Sequence, residues 1–218
     1  MSWAGVLFAT VLAGAAALWL RTRRYRDEDD EVRRTLSPWW LPVTAAVGAL
    51  AATPLYAGVP VSVGLTYAVA LVWGLTLAFI DLEVHRLPDV LTLPAYPVAA
   101  VLLAVCSAQT GAWAPLARAA ACAGVGVAAF FLLALMSLWF SPDGTGFGLG
   151  DVKLSGGLTG LLGWFSAFHA VYGVLVGCII GGVAAAVLLI ARRGRKAHLS
   201  YGPSLIAGAY LVGLLGPL

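Results

Sequence analysis

The stretch from Thr35 to Ile80 contains no charged side chain. It is long enough for two membrane-spanning helices, each of which needs about 20 apolar residues. The segment Ala57-Gly-Val-Pro60 supplies a break between them. Across all 218 residues, 61% are hydrophobic and only 11% are charged. The sequence therefore predicts an integral membrane protein and excludes a separate soluble domain.

Apolar segments of similar length recur along the rest of the chain. They predict an all-α fold, a polytopic transmembrane bundle of about eight helices. We place the spans at 3–20, 39–57, 61–80, 90–108, 116–140, a sixth that begins near 151, 167–190 and 203–218. The glycines at 156, 157, 160 and 163 are expected to let the sixth helix pack closely against its neighbours.

The basic residues predict the orientation of this bundle. The loops 21–37, 81–90, 141–153 and 191–202 contain all but one of the 13 Lys and Arg residues, and the exception is Arg118. Positively charged loops stay in the cytoplasm, so these four are expected on that side and the N-terminus outside. The charged run 27–34 is expected to be solvated and to have no chemical role.

Several classes of function are excluded by composition. A net charge of +3 is too small for a nucleic-acid-binding surface, so no nucleic acid partner is expected. The three cysteines, Cys106, Cys122 and Cys178, are isolated within apolar segments. They form no zinc motif or disulfide framework and are interpreted as small core residues. We expect no metal and no cofactor.

Two aspartates are the strongest candidates for chemistry. Asp81 directly follows an apolar run, where a carboxylate opposes the helix macrodipole and is a poor choice for simple termination. Asp151 follows three alternating glycines, which allow close backbone approach and positive φ. Its alternative role is a helix N-cap. A phosphate-binding loop is excluded, because an acid after the last glycine would repel phosphate.

A pair of aspartates at one membrane face could hydrolyse a peptide bond. An ionised carboxylate would deprotonate water while a protonated one donates to the carbonyl oxygen, and close approach in a low dielectric favours that division. The pair would titrate as a unit. The alternative is a small proton- or cation-coupled transporter in which Asp81 and Asp151 bind the ion. A non-catalytic scaffold would leave the acids and glycines unexplained.

Three motifs carry a resemblance to a known family. Asp81-Leu-Glu-Val-His-Arg-Leu-Pro88-Asp89 resembles the D-x-x-x-x-x-I/L-P-D/N motif of type IV prepilin peptidases. Gly148-Leu-Gly150-Asp151-Val-Lys153-Leu154 resembles their G-x-G-D-V/I-K-L/M motif, and Tyr201-Gly202-Pro203 is similar to the F-G-P before their final helix. The motifs follow the family's order, and the resemblance covers roughly residues 60 to 215.

The resemblance implies an aspartic endopeptidase of the bacterial inner membrane. It would remove basic leader peptides from prepilins or pseudopilins, which continue into an apolar helix, at the cytoplasmic face, in pilus assembly, protein secretion or DNA uptake. Asp81 and Asp151 would be catalytic. The supporting motif residues would be Pro88, Asp89, Gly148, Gly150, Lys153, Gly202 and Pro203.

The resemblance is to the compact, peptidase-only members of the family. Longer members carry a methyltransferase region with a tetracysteine zinc loop, whereas the loop 21–37 contains no cysteine. We therefore do not expect N-methyltransferase activity. The implied division is 1–58 for N-terminal anchor helices with a charged cytoplasmic loop, and 59–218 for the catalytic membrane domain.

The remaining polar residues receive simpler interpretations. Asp89 after Pro88 is expected to cap the fourth helix, with positioning of the catalytic loop as the alternative. Lys153 is expected to reach the lipid surface, or else to orient substrate or tune the aspartate pair. Glu83 and His85 are expected to be solvated. Asp143 fits a type I turn, and His169 is expected to be a packing histidine.

Overall fold

A computed structural model of the chain describes residues 3–26, 32, 35–54, 58–140, 148–191 and 200–214. Within these ranges it contains nine α-helices and no strand, so the predicted all-α class is confirmed. The helices are α1 (Trp3–Arg21), α2 (Trp40–Ala52), α3 (Val61–Val84), α4 (Asp89–Thr92), α5 (Ala95–Thr110), α6 (Ala114–Phe140), α7 (Leu149–Phe165), α8 (Ala167–Ala191) and α9 (Gly202–Gly213).

The predicted fourth span is divided into α4 and α5. The division falls at Pro94, the residue before α5, which has no backbone N–H to continue the α4 hydrogen-bond pattern. The other helix ends differ from the predicted ones by a few residues. The predicted turn at Asp143, the basic residues from Arg192 to Lys196 and most of the charged run 27–34 lie outside the described residues.

Within the described ranges, five segments are long and apolar enough to cross a membrane, so the chain is a multi-pass membrane protein. They are Trp3–Arg21, Val61–Val84, Asp89–Thr110, Ala114–Ser137 and Ala167–Leu188. The other three predicted spans, α2, α7 and α9, have 13, 17 and 12 residues. At about 1.5 Å per residue they are shorter than the roughly 30 Å hydrocarbon core.

The short helix α7 lies inside the bundle and is buried along most of its length. A Cβ on Gly160 would lie 3.1 Å from the Ala123 Cβ, and one on Gly163 would lie 2.6 Å from the Cys122 Cβ. Both neighbours belong to α6, so α6 approaches α7 to a distance that larger side chains would prevent. The predicted close packing of this helix is confirmed.

Side-chain contacts bring the described parts of the four basic loops to one end of the bundle. Tyr25 contacts Glu83, Lys153 contacts Asp89, and Ser200 contacts Asp81. The predicted spans cross the membrane in alternating directions, which requires these four loops to lie at the same end of the bundle.

The opposite end contains the remaining basic residue, Arg118. Its guanidinium donates to the carbonyls of Gly163, Trp164 and Phe165 at 2.6–2.8 Å. These are among the carbonyls that the end of α7 leaves without a helical partner. Nearby, the buried His169 pairs with Ser166 at 2.7 Å, which confirms its interpretation as a packing histidine.

Candidate active site

Asp81 lies in the last turn of α3 and is buried, with 5% of its surface exposed. Its Oδ2 atom accepts hydrogen bonds from the Ser200 hydroxyl and from the Gly202 N–H, the latter at 3.1 Å. Both donors lie at the start of α9, far away in sequence. The carboxylate is therefore held in the protein interior and does not extend into water as a simple helix end would.

The third motif explains how α9 approaches Asp81 so closely. A Cβ on Gly202 would lie 2.6 Å from Asp81 Oδ2, which is closer than real Cβ contacts. Gly202 and Pro203 form the first turn of α9, where a proline without an N–H is tolerated. The Tyr201-Gly202-Pro203 motif thus provides both the helix start and the space that the Asp81 carboxylate occupies.

Asp151 is the third residue of α7, and Gly148 is the N-cap. The N-cap alternative for Asp151 is therefore wrong. Its carboxylate lies beside Gly148, with Oδ2 3.9 Å from the position of a Cβ on that residue, and interacts electrostatically with Asp81. Asp81 and Asp151 are thus neighbours at the same end of the bundle.

Gly150, the residue before Asp151, acts through close packing. A Cβ on Gly150 would lie 3.1 Å from the Leu87 Cβ, so the chain segment after α3 packs directly against the start of α7. Neither Gly148 nor Gly150 has a positive φ; among the described glycines only Gly58 and Gly111 do. The backbone freedom that the sequence suggested is therefore not used at Gly148 or Gly150.

A salt bridge connects the first and second motifs. The Lys153 Nζ lies 2.6 Å from the Asp89 Oδ1, with 31% and 59% of the two side chains exposed. The Tyr96 hydroxyl also donates to the Lys153 carbonyl at 2.7 Å. Lys153 therefore pairs with the carboxylate of Asp89. Neither of the two roles predicted for Lys153 included this ion pair.

The prediction that Asp89 caps the fourth helix is wrong by one residue. Pro88 is the N-cap of α4, and its carbonyl accepts the N–H groups of Leu91 and Thr92 at 3.1 Å each. Asp89 is the first helical residue, and its carboxylate is directed to Lys153.

Glu83 was predicted to be solvated, and that prediction is wrong. Its side chain is completely buried and accepts hydrogen bonds from Tyr25, Arg26 and the Leu36 backbone N–H. Like Asp81, Glu83 is an acid at the C-terminal end of an apolar helix, where a carboxylate opposes the helix macrodipole.

His85 ends α3 and is half-buried, so its predicted solvation holds only in part. It adopts a left-handed backbone conformation with φ of 53°, and its N–H donates to the Asp81 carbonyl at 2.9 Å. A non-glycine residue at positive φ is uncommon and marks a sharp change of chain direction. The chain turns here from the Asp81 helix towards the Leu87 contact with α7.

Among the described residues, no group of three or more His, Cys, Asp or Glu side chains could hold a metal ion. The described cysteines are free thiols, with Cys106 buried and Cys122 and Cys178 half-buried. The described ionisable groups at this end of the bundle include carboxylates, an imidazole, a lysine and the arginines that pair with Glu83.

Comparisons with known proteins identify the family. Residues 68–186, just over half of the chain, match the type IV leader peptidase family. The chain is 33% identical over 138 residues to a prepilin leader peptidase/N-methyltransferase from Neisseria gonorrhoeae. That alignment covers 63% of this chain and 44% of the relative's length. No solved structure matches. The match includes Asp81 and Asp151, and the chain belongs to the type IV leader peptidase family.

Proposed function

We propose that the protein is an aspartic endopeptidase that removes the basic leader peptide of type IV prepilins or pseudopilins. Cleavage would take place at the cytoplasmic face of the bacterial inner membrane, with Asp81 and Asp151 activating one water molecule. The family is that of a peptidase, and the Neisseria relative is named as a prepilin leader peptidase. The aspartic mechanism, the membrane face and the substrate are the proposed parts.

One observation supports the aspartic mechanism above the others. Asp81 at the end of α3 and Asp151 at the start of α7 are brought close enough to interact electrostatically. Two neighbouring carboxylates in a site that excludes much of the water repel each other when both are ionised, so such a pair tends to retain one proton. A pair that holds one proton can act as base and acid in the same step.

The proposed reaction uses both carboxyl groups. The ionised one accepts a proton from water, and the resulting hydroxide forms a bond to the carbonyl carbon of the scissile peptide. The protonated one donates its proton to the carbonyl oxygen. When the tetrahedral intermediate collapses, the C–N bond breaks and the nitrogen takes the proton that the first carboxyl group accepted from water, while the second carboxylate recovers a proton from a hydroxyl of the intermediate. This releases the leader acid and the new amine terminus and restores the starting protonation of the pair.

The contacts of Asp81 indicate how it would be oriented for this step. Both described hydrogen bonds, from Ser200 and Gly202, use Oδ2. Oδ1 is thus the oxygen left for proton transfer. Fixing one carboxylate oxygen in advance lowers the entropy cost of reaching the reactive geometry.

The position at the end of the bundle fits a substrate that is itself anchored in the membrane. An extended peptide has unpaired backbone groups, which are costly in hydrocarbon, so its scissile bond is best met near the interface. The charge distribution among loops supports a cytoplasmic location for this end, where the leader would remain. The transporter alternative has less support, because ion sites of transporters usually lie near the bilayer midplane.

The test is incubation of the purified protein with a candidate prepilin, followed by mass spectrometry of the product terminus. We expect a single cut between the basic leader and the apolar helix. A prepilin whose leader lysines and arginines are replaced by glutamine is the matched control for the role of leader charge. An intact prepilin after prolonged incubation with well-folded protein would contradict the proposal.

A further inference from the structure

Glu83 is a buried carboxylate that the proposed reaction does not use. It lies two residues after Asp81 and has no exposed surface. Arg26 donates to it at 2.7 Å, the Leu36 N–H at 2.8 Å, and the Tyr25 hydroxyl makes a further short hydrogen bond. Arg23 adds an ion pair at 3.6 Å.

All of these donors come from one segment, the connection between α1 and α2. This segment precedes residues 68–186, the region that matches the family, so part of the chain outside that region surrounds an acid within it. A buried ionised carboxylate is costly unless it is well paired. The donors satisfy Glu83, and burial together with Glu83 raises the pKa of Tyr25 above its ordinary value.

The two acids of α3 face different neighbours. Residues two apart on a helix point roughly 200° from each other. Asp81 faces the start of α9 and Asp151, with the His85 imidazole also acting on it, whereas Glu83 faces Tyr25, Arg23 and Arg26. The last turn of α3 is therefore held from both sides.

Apolar contacts reinforce the side that faces the N-terminal helices. Phe79, Ile80 and Val84 pack in one buried cluster with Leu20 and Tyr25. A final helical turn otherwise lacks hydrogen-bond partners for its carbonyls and tends to fray. Fraying here would move the turn that carries Asp81, so contacts that hold this turn also fix the catalytic geometry.

We propose that Glu83 is a positioning residue that binds the α1–α2 connection to the last turn of α3 and thereby sets the Asp81 carboxylate beside Asp151. The proposal rests on the proposed function. The N-terminal helices are then more than a membrane anchor, because residues of their connecting loop complete the support of a catalytic aspartate.

The test compares Glu83→Gln and Tyr25→Phe with the wild-type full-length protein, by steady-state leader cleavage across a pH series. The control is Arg24→Gln, which removes one exposed basic charge from the same loop; Arg24 makes none of the described contacts with Glu83. We expect kcat to fall about 10- to 100-fold in Glu83→Gln, as for other small misplacements of reacting groups. KM should change less than kcat, and Tyr25→Phe should show a smaller effect in the same direction.

The pH profile separates positioning from loss of folded protein. If Asp81 moves relative to Asp151, the acidic or basic limb of the kcat profile shifts, because the coupled titration depends on their separation. Unfolding of a fraction of the enzyme would instead lower the measured rate at every pH and leave the pH values of both limbs unchanged. Unshifted limbs in both variants, or kcat equal to that of the control, would overturn the proposal.

Two further outcomes are informative. If Glu83→Gln does not fold, Tyr25→Phe keeps the carboxylate and decides the question alone. If the wild-type protein cleaves no prepilin, the proposed function fails, and the positioning role fails with it. Normal wild-type cleavage with a wild-type profile in both variants rejects only the role of Glu83.

Discussion

Replacement of Gly202 by alanine perturbs Asp81 without changing any ionisable group. The added Cβ would lie 2.6 Å from Asp81 Oδ2 and 3.3 Å from its Cγ. The first distance is about 0.7 Å below an ordinary C···O contact of roughly 3.3 Å. The carboxylate must move, or the start of α9 must move and weaken the hydrogen bond from the Gly202 N–H.

The size of the effect follows from this displacement. Overpacking a filled interior costs about 1–3 kcal/mol in stability, and a misplacement of about 1 Å near reacting groups can cost about 100-fold in rate. We therefore expect kcat for leader cleavage to fall roughly 10- to 100-fold in Gly202→Ala, corresponding to about 1.4–2.7 kcal/mol of barrier. KM should change little, because the substitution does not alter a substrate-binding side chain in this account.

The assay is steady-state cleavage of a purified prepilin, with thermal unfolding in detergent measured in parallel. Gly182→Ala in α8 is the matched control, since a Cβ there would meet nothing within 4 Å. That control should keep full activity and gain up to about 1 kcal/mol in helix stability. A Gly202→Ala protein that folds normally and retains kcat within about twofold of wild type, a change of less than 0.5 kcal/mol, would refute the reasoning.

Two further predictions concern described contacts, and one concerns the orientation of the bundle in the membrane. Asp89→Lys and Lys153→Asp should each reduce cleavage, because each replaces the Asp89–Lys153 salt bridge with two like charges. The double variant, in which the two charges are exchanged, should restore part of the cleavage. The free energy of unfolding should change by less than about 1 kcal/mol in each variant, as for other exposed pairs. Arg118→Met should lower the free energy of unfolding by about 2–3 kcal/mol, measured by chemical denaturation, because three carbonyls at the end of α7 lose their charged donor. Single cysteines at the exposed positions of Arg24 and Val90, in a background without native cysteines, should react with an impermeant maleimide only when the cytoplasmic face is accessible; labelling from outside intact cells would reverse the orientation.

The sequence predicted the parts of the site that depend on local patterns. Asp81, Asp151 and Gly202 were singled out from motifs, and the structure brings all three together. It was also predictable that the described parts of the four basic loops share one end of the bundle, because the alternation of spans requires it. These features follow from the immediate neighbours of each residue and from the length of the apolar segments.

The parts that were missed depend on contacts between segments far apart in the chain. Nothing adjacent to Glu83 indicates that Tyr25 and Arg26 will enclose it. The Asp89–Lys153 pair likewise joins two motifs whose relative placement is set by packing of α4 against α7. A sequence pattern can show that an acid at a helix end is unusual, but the partner that satisfies it emerges only when the helices pack.

The most direct test of the central claim is leader cleavage by Asp81→Asn and Asp151→Asn, with Asp89→Asn as the control. Asp89 is another carboxylate at the same end of the bundle, but it is exposed and paired with Lys153. We predict that both aspartate pair variants fold and insert normally and cleave no detectable prepilin, whereas Asp89→Asn retains substantial cleavage. Near-normal cleavage by either Asp81→Asn or Asp151→Asn would contradict the proposed aspartic mechanism.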